Sequence, residues 1–540
     1  MKIVDLAPDT LLINGQFYTV DPQNSVAQAV AIKNGRFLTV GSNEQIKSLA
    51  GDYTKTIDLN GQTVLPGIFD SHAHLQEVGL KLAAIRLDEC QSPEEMMALV
   101  RERAKVTPEG QWIVGMGWNE GNFKNGRLPT KADIDPATDK HPVLLQRFFN
   151  TDVVNSVALQ KANIHAKTQN PEGGKIERDE YGQPNGLLRA SAKLLVRSLI
   201  PQPTLDELKQ AIKLGCADFN QFGITSMIDP GLMPYEMHAY QASYHDLTVR
   251  MNIMPSWHGF REHETETELD YRARELGIYS GLGDEWLKIG GLKMALDGGT
   301  TPHTALMYEP FEGEAEVIDY NRISPDTLRR YFMTAQELGW DVGIHICGDK
   351  AMDIAVDAFA QVAQELPRED MRHNIIHAYF PSDRALAQMA THNIGAVIQP
   401  TFIYWEGDLI FRDVGEKRAA NWKPSRKFLD HGIPLTASSD LPSTVSANPF
   451  IAMYTLITRK NNLGQQVAPD QALTREEALR AYTISGTWLT REENLKGSIE
   501  AGKLADLAVI DRDYFTIPED EIKDINATMT MVGGKVVWER

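Results

Sequence analysis

The stretch Thr63-Val64-Leu65-Pro66-Gly67-Ile68-Phe69-Asp70-Ser71-His72-Ala73-His74 decides how the chain is read. The apolar run Val64–Phe69, rich in β-formers, predicts a short buried strand running into a polar end. Alternate residues of a strand share a face, so His72 and His74 are expected to point the same way. Two imidazoles on one face at a strand's C-terminal end are a ready pair of metal ligands. Taken alone, the pair fits two hydrogen-bonded core histidines equally well, and the rest of the chain separates the two readings.

Upstream, residues 9–65 alternate short apolar runs with turns: Thr10-Leu11-Leu12-Ile13 precedes Asn14-Gly15, and Ala29-Val30-Ala31-Ile32 precedes Lys33-Asn34-Gly35. Asn-Gly between β-prone runs is a strong hairpin signal. The C-terminus has the same character in Ala505–Ile510 and Met531–Val537. Residues 1–65 and 496–540 are therefore expected to combine into a small β-sandwich. Between them, strand-like runs alternate with amphipathic stretches, the pattern of βα units on a parallel sheet. The expected strands are Ile68–His74, Gly223–Asp229, Arg250–Ser256, Trp286–Asp297, Asp341–His345, His373–His377, Gly395–Gln399 and Ile433–Asp440. Eight such units predict an α/β fold, a (β/α)8 TIM barrel over residues 66–495. At about 30 residues per unit, His345 and His377 stand one unit apart and His377 and Asp440 two. The stretch from His74 to Gly223 is too long for one connection, so an inserted subdomain is expected at about 76–203, covering the site end of the first strand.

Composition narrows the function classes. Acidic residues outnumber basic ones 73 to 54, a net charge of −19, which disfavours nucleic acid and anionic membrane as partners. The three cysteines (Cys90, Cys216, Cys347) have no CxxC spacing, so neither a disulfide framework nor a thiolate zinc site is indicated. The N-terminal residues lack a charged-then-apolar leader pattern, and a cytoplasmic location is expected. No HExxH motif is present. A small-molecule substrate is expected, and a homodimer is the commonest assembly for such a chain.

His72, His74, Lys293, His345, His377 and Asp440 all fall near the C-terminal ends of expected strands, the face where such barrels carry their sites. Nitrogen and carboxylate donors at that density fit Zn2+ or another borderline divalent ion. Lys293 lies among apolar residues in Leu292–Gly299, where an unpaired ammonium would be costly. It is expected either to pair with Asp297 or Asp440, or to be carbamylated and so bridge two metals.

Pro66–His74 resembles the signature of the amidohydrolase superfamily, and further stretches resemble its amidohydrolase-3 branch of YtcJ-like and N-substituted formamide deformylase-like hydrolases. These stretches are Gly115-Met116-Gly117-Trp118, Val154-Asn155-Ser156, Lys293–Gly298 with Thr304-Ala305, Ile344–Asp349, His377-Ala378, Gln399-Pro400, Ser439–Pro442 and Gly497–Asp506. The resemblance implies a metal-dependent hydrolase in which His72 and His74 are first-strand ligands and His345 and His377 are ligands on strands five and six. It makes Lys293 the carbamylated bridge, and Asp440 the strand-eight ligand and proton shuttle, so that Asp440, Lys293 and His377 are the expected catalytic residues. One or two divalent ions, Zn2+ foremost, are implied, with two if Lys293 is carbamylated. Three positions depart from the pattern: Asn150 stands where relatives carry a pocket histidine, Ala190 replaces a glutamate, and Ile376 precedes His377 where glutamate is common. Trp118, Asn150 and His303 are the candidate substrate contacts, and Cys347 is expected to be a small buried thiol. The expected reaction is hydrolysis of a C–N bond in a small amide, formamide or cyclic amide by a metal-activated hydroxide. Ester or lactone hydrolysis at the same site, or a silent oligomeric scaffold, are the alternatives.

Overall fold

The computed structural model describes residues 7–119, 122–123, 127–147, 151–171, 174–258, 274–275, 277–317 and 323–540. It divides into two compact units, one made of the residues up to Leu75 with Cys216–Arg540, the other of Gln76–Gly215.

The first unit holds eight parallel strands: β1 (Ile68–Asp70), β2 (Ile224–Leu232), β3 (Arg250–His258), β4 (Leu292–Ala295), β5 (Val342–Ile346), β6 (Asn374–His377), β7 (Gly395–Ile398) and β8 (Leu435–Ala437). They pair in chain order from β1 to β8. Just past the strand ends, Ser71 N donates to Ala437 O, Asp440 N to His72 O and His74 N to Leu441 O, which draws the last strand to the first. The expected (β/α)8 barrel is the observed one. Every residue of β1, β4, β6, β7 and β8 is buried, which is why these strands read as apolar runs without alternation: parallel strands are covered on both faces. The intervening helices are delimited by their own chemistry. Pro325–Leu338 starts at a Ser324 cap with proline in the first turn and ends at Gly339 with φ 82°.

Of two smaller sheets, one draws on both ends of the chain and the other on its N-terminal residues alone. Thr63–Pro66 runs antiparallel to Leu507–Ile510, within a six-stranded sheet that also holds Gln16–Tyr18 and Ala527–Val532. The second sheet has four strands, with Thr10–Ile13 between Ala29–Lys33 and Lys55–Asp58. Leu12, Phe17, Val30, Phe37, Val64, Leu507 and Met531 share one core between them.

Two local expectations change. The single strand expected over Trp286–Asp297 is two, Leu287–Ile289 and β4, broken at Gly290-Gly291. A Cβ on Gly290 would lie 2.1 Å from Asn252 Oδ1, so the chain turns there against β3. The strand expected to run to His74 stops at Asp70, so the two histidines are not aligned by strand pleating.

The second unit carries a six-stranded mixed sheet that includes Ile113–Trp118, Val143–Arg147 and Thr151–Val154. Asn155 is buried and acts as a staple: its carbonyl accepts from Val143 N and Ala158 N, and its amide donates to His141 O.

One buried group predicts how stability varies with pH. His373, just before β6, accepts from Val342 N at Nδ1 and pairs with Gln336 Oε1 through Nε2. Burial lowers its pKa to about 4, whereas an unfolded histidine titrates near 6.5, so the unfolded chain binds the proton first. Stability is expected to be fully present above pH 6.5 and to fall by up to about 3 kcal/mol as the pH drops to about 4. Urea unfolding at several pH values tests this: His373→Gln, which keeps an acceptor and a donor, should flatten that slope.

Candidate metal centre

The chain segments leaving β1 and β8 are tied together before any ligand is considered. Asp70, buried at the end of β1, accepts from His72 N at 3.2 Å and from Ser439 N at 3.1 Å. The two histidines are thereby turned toward Asp440. His72 Nε2 lies 3.4 Å and His74 Nε2 3.5 Å from the same Asp440 Oδ1. These separations exceed ordinary hydrogen bonds. Two donor atoms each at about 2.1 Å from a tetrahedral ion stand about 3.4 Å apart, so the spacing suits a shared cation. The three ligand atoms lie within 4.8 Å of one another. Asp440 has φ 56° and His377 φ 76°, left-handed conformations that cost energy in non-glycine residues and cluster at functional sites.

The other candidates gather here too. The His377 ring lies 5.7 Å from that of His72 and 4.2 Å from that of His345. His377 Nδ1 bonds Gln399 Oε1 at 2.7 Å, and Gln399 is fixed in turn by donating to Val397 O and Ser438 Oγ. With its Nδ1–H donated to that carbonyl, His377 keeps a lone pair on Nε2 for an ion. His345 Nε2 is 2.9 Å from Gly298 O.

The electrostatics suit metal ligands. Burial, reinforced by the Lys293 charge, pulls His72 down to about 3. Burial and the neighbouring His345 hold His377 well below its ordinary value, so these imidazoles are neutral across the physiological range. Burial pushes Asp440 up, but His72 and His74 outweigh it and keep the carboxylate ionised. Lys293, 0% exposed, is lowered by burial to about 7 despite the opposing charge of Asp440. Neutral imidazoles, an ionised carboxylate and a lysine that is partly free amine at neutral pH make a donor set that fits a divalent ion.

The candidate substrate contacts are disposed differently. Trp118 belongs to the core of the second unit, fully buried, and donates its indole N–H to Leu145 O at 2.9 Å. His303 has Glu314 Oε1 at 2.7 Å on Nδ1 and Asp413 Oδ1 at 3.4 Å on Nε2, and stacks on Phe311. Burial opposes its protonation, but the two carboxylates prevail and raise its pKa. Asn150 lies outside the described residues. Cys347 is buried, with Sγ 3.6 Å from His345 Nε2.

Sequence reasoning did not single out Asp70 or the positioning role of Gln399. Gln399 carried a signal, in that it closes a buried strand with an amide directly before the helix at Pro400. Asp297, one of the two carboxylates offered as an alternative partner for Lys293, accepts from the backbone N–H groups of Leu306, Cys347 and Gly348.

Known proteins agree with this architecture. The sequence model of the amidohydrolase family matches residues 55–538. The protein LONG AFTER FAR-RED 3 of Arabidopsis thaliana is 30% identical over 99% of this chain and 92% of its own length. N-substituted formamide deformylase of Arthrobacter pascens is 28% identical over 98% of each chain. Among solved structures, an uncharacterized metal-dependent hydrolase from Pyrococcus furiosus superposes with a TM-score of 0.77 at 27% identity, covering 94% of this chain and 100% of that one. A match spanning both the barrel and the sheets at its ends is more than a shared fold. The chain belongs to the amidohydrolase family.

Proposed function

We propose that this chain hydrolyses the C–N bond of a small amide, formamide or cyclic amide at a divalent metal centre, with Zn2+ as the ion. The observation that carries the reading is the convergence of His72 Nε2 and His74 Nε2 on one oxygen of Asp440 at spacings suited to a shared cation. The full-length similarity to a formamide deformylase supports the choice of bond. His72, His74 and Asp440 would hold one ion and His345 and His377 a second, with a carbamylated Lys293 shared by both. When bound, such an ion lowers the pKa of water and polarises a carbonyl. The protein's own part is to place and move protons. Asp440, held ionised, accepts the proton of the attacking water on its carboxylate and returns it to the departing nitrogen. Gln399 keeps the proton of His377 on Nδ1, so the opposite nitrogen stays a ligand. The three cysteines are all free and buried, which supports a reducing, cytoplasmic setting. Among the described residues no helix is long and apolar enough to cross a membrane.

Metal analysis and a matched amide-and-ester panel test this together. Protein prepared with bicarbonate should bind about two ions per chain, and Lys293→Ala about one. Chelation should abolish hydrolysis of N-substituted formamides, and Zn2+ should restore it. Turnover of esters without amides would overturn the C–N assignment, and absence of metal after reconstitution would overturn the hydrolase reading.

A further inference from the structure

Beside the metal centre lies a lysine that the mechanism does not use. Lys423 is 0% exposed, and its Nζ has no hydrogen-bond partner among the described residues. The amine sits in an aromatic box, 3.6 Å from the centroid of Tyr379, 5.1 Å from Phe402 and 5.5 Å from Trp422. Two of these walls also touch the site: the His377 ring is 5.7 Å from Tyr379 and 6.4 Å from Phe402. The backbone holds this placement, with Lys423 N donating to Tyr379 O and the buried Arg459 donating to Lys423 O.

Aromatic faces recover only part of what an ammonium loses on leaving water. The carboxylates of Glu406 and Asp440 act on Lys423 from a distance, yet no carboxylate among the described residues bonds its Nζ. Burial lowers its pKa to about 7, so a neighbouring anion would readily draw it into the charged form.

We propose that Lys423 binds a carboxylate on the substrate, so that the amide hydrolysed carries an anionic group within one aromatic side chain of the metal ligands. The hydrolysis part rests on the amide reading above; the anion site does not.

A matched pair of probes separates the two: N-formylphenylalanine, and N-formylphenethylamine, which lacks only the carboxylate. Calorimetry on the full-length Asp440→Asn chain measures binding without turnover, and kcat/KM is measured on the metal-loaded parent. The carboxylate member is expected to bind about 10- to 100-fold more tightly, the range of a charge-assisted hydrogen bond. Lys423→Met should bring that ratio near one, and Lys423→Arg should retain most of it. Equal binding of the two probes by the parent overturns the proposal, even if the methionine variant fails to fold. So does a methionine variant that melts earlier with its ratio unchanged, which would make Lys423 a packing residue. A carboxylate preference in binding without hydrolysis of either formamide would leave the anion site standing and remove formamides from the amide reading instead.

Discussion

Asp440→Asn is expected to lower kcat/KM for the amide substrate by about 10^3- to 10^4-fold, the largest effect of any single substitution in this chain. Two losses combine in it. The amide oxygen of asparagine can still face His72 and His74, but without the negative charge that opposes a divalent ion. It also cannot accept a proton at neutral pH, and a positioned acid–base group contributes about 10^2- to 10^4-fold by itself. The backbone should hold, because Asp440 N donates to His72 O and Asp70 accepts from Ser439 N whatever the side chain at position 440. Saturation kinetics at excess Zn2+ with parallel metal analysis distinguish the two losses. A variant loaded to the parent's metal content but slow has lost the proton carrier, whereas one with low metal has lost the ligand. Retention of a tenth or more of the parent's activity would remove Asp440 from the mechanism.

What the sequence could and could not disclose follows from how far each interaction reaches. A parallel barrel strand is buried on both faces over its whole length, so Asn374–His377 or Gly395–Ile398 appears in the sequence as a compact apolar run ending where the site begins. That is why strand ends, and the ligands on them, could be placed from spacing. The aim of His72 and His74 could not, because it depends on Asp70 reaching Ser439, 369 positions along the sequence, at the seam where the last strand meets the first. Strand pleating gave the expected convergence by the wrong geometry: the strand has ended, and the loop does the aiming. Trp118 shows the opposite limit. Its glycine-flanked motif marks it as special, but only the packed sheet reveals that its indole faces Leu145 in a hydrophobic core. Lys423, in the connection after the helix that follows β7, carries no local signal. Its surroundings come from Tyr379 and Phe402, on separate segments.

Asp297→Ala is expected to destabilise the chain by about 3–5 kcal/mol and to reduce metal occupancy with it. Asp297 follows β4, is 1% exposed, and accepts from Leu306 N at 2.9 Å, Cys347 N at 3.0 Å and Gly348 N at 2.7 Å. The carboxylate therefore ties the loop after β4 to the turn that carries the chain from β5 into the helix Asp349–Glu365. The two segments are in close contact: a Cβ on Gly348 would lie 2.0 Å from Leu306 O, so no side chain there could fill the space left by the missing carboxylate. Removing the acceptor would leave three N–H groups to find partners in a buried turn, at about 1–3 kcal/mol each where none is found. Because His345 Nε2 lies 2.9 Å from Gly298 O, the residue after Asp297, loosening this turn also loosens a proposed ligand. Asp297→Asn keeps one carbonyl acceptor of similar size and should lose about half as much. Urea unfolding with metal analysis decides the matter. An alanine variant within 1 kcal/mol of the parent would show that the turn holds without the carboxylate; one that is destabilised but keeps its metal would show that His345 is positioned by β5 alone.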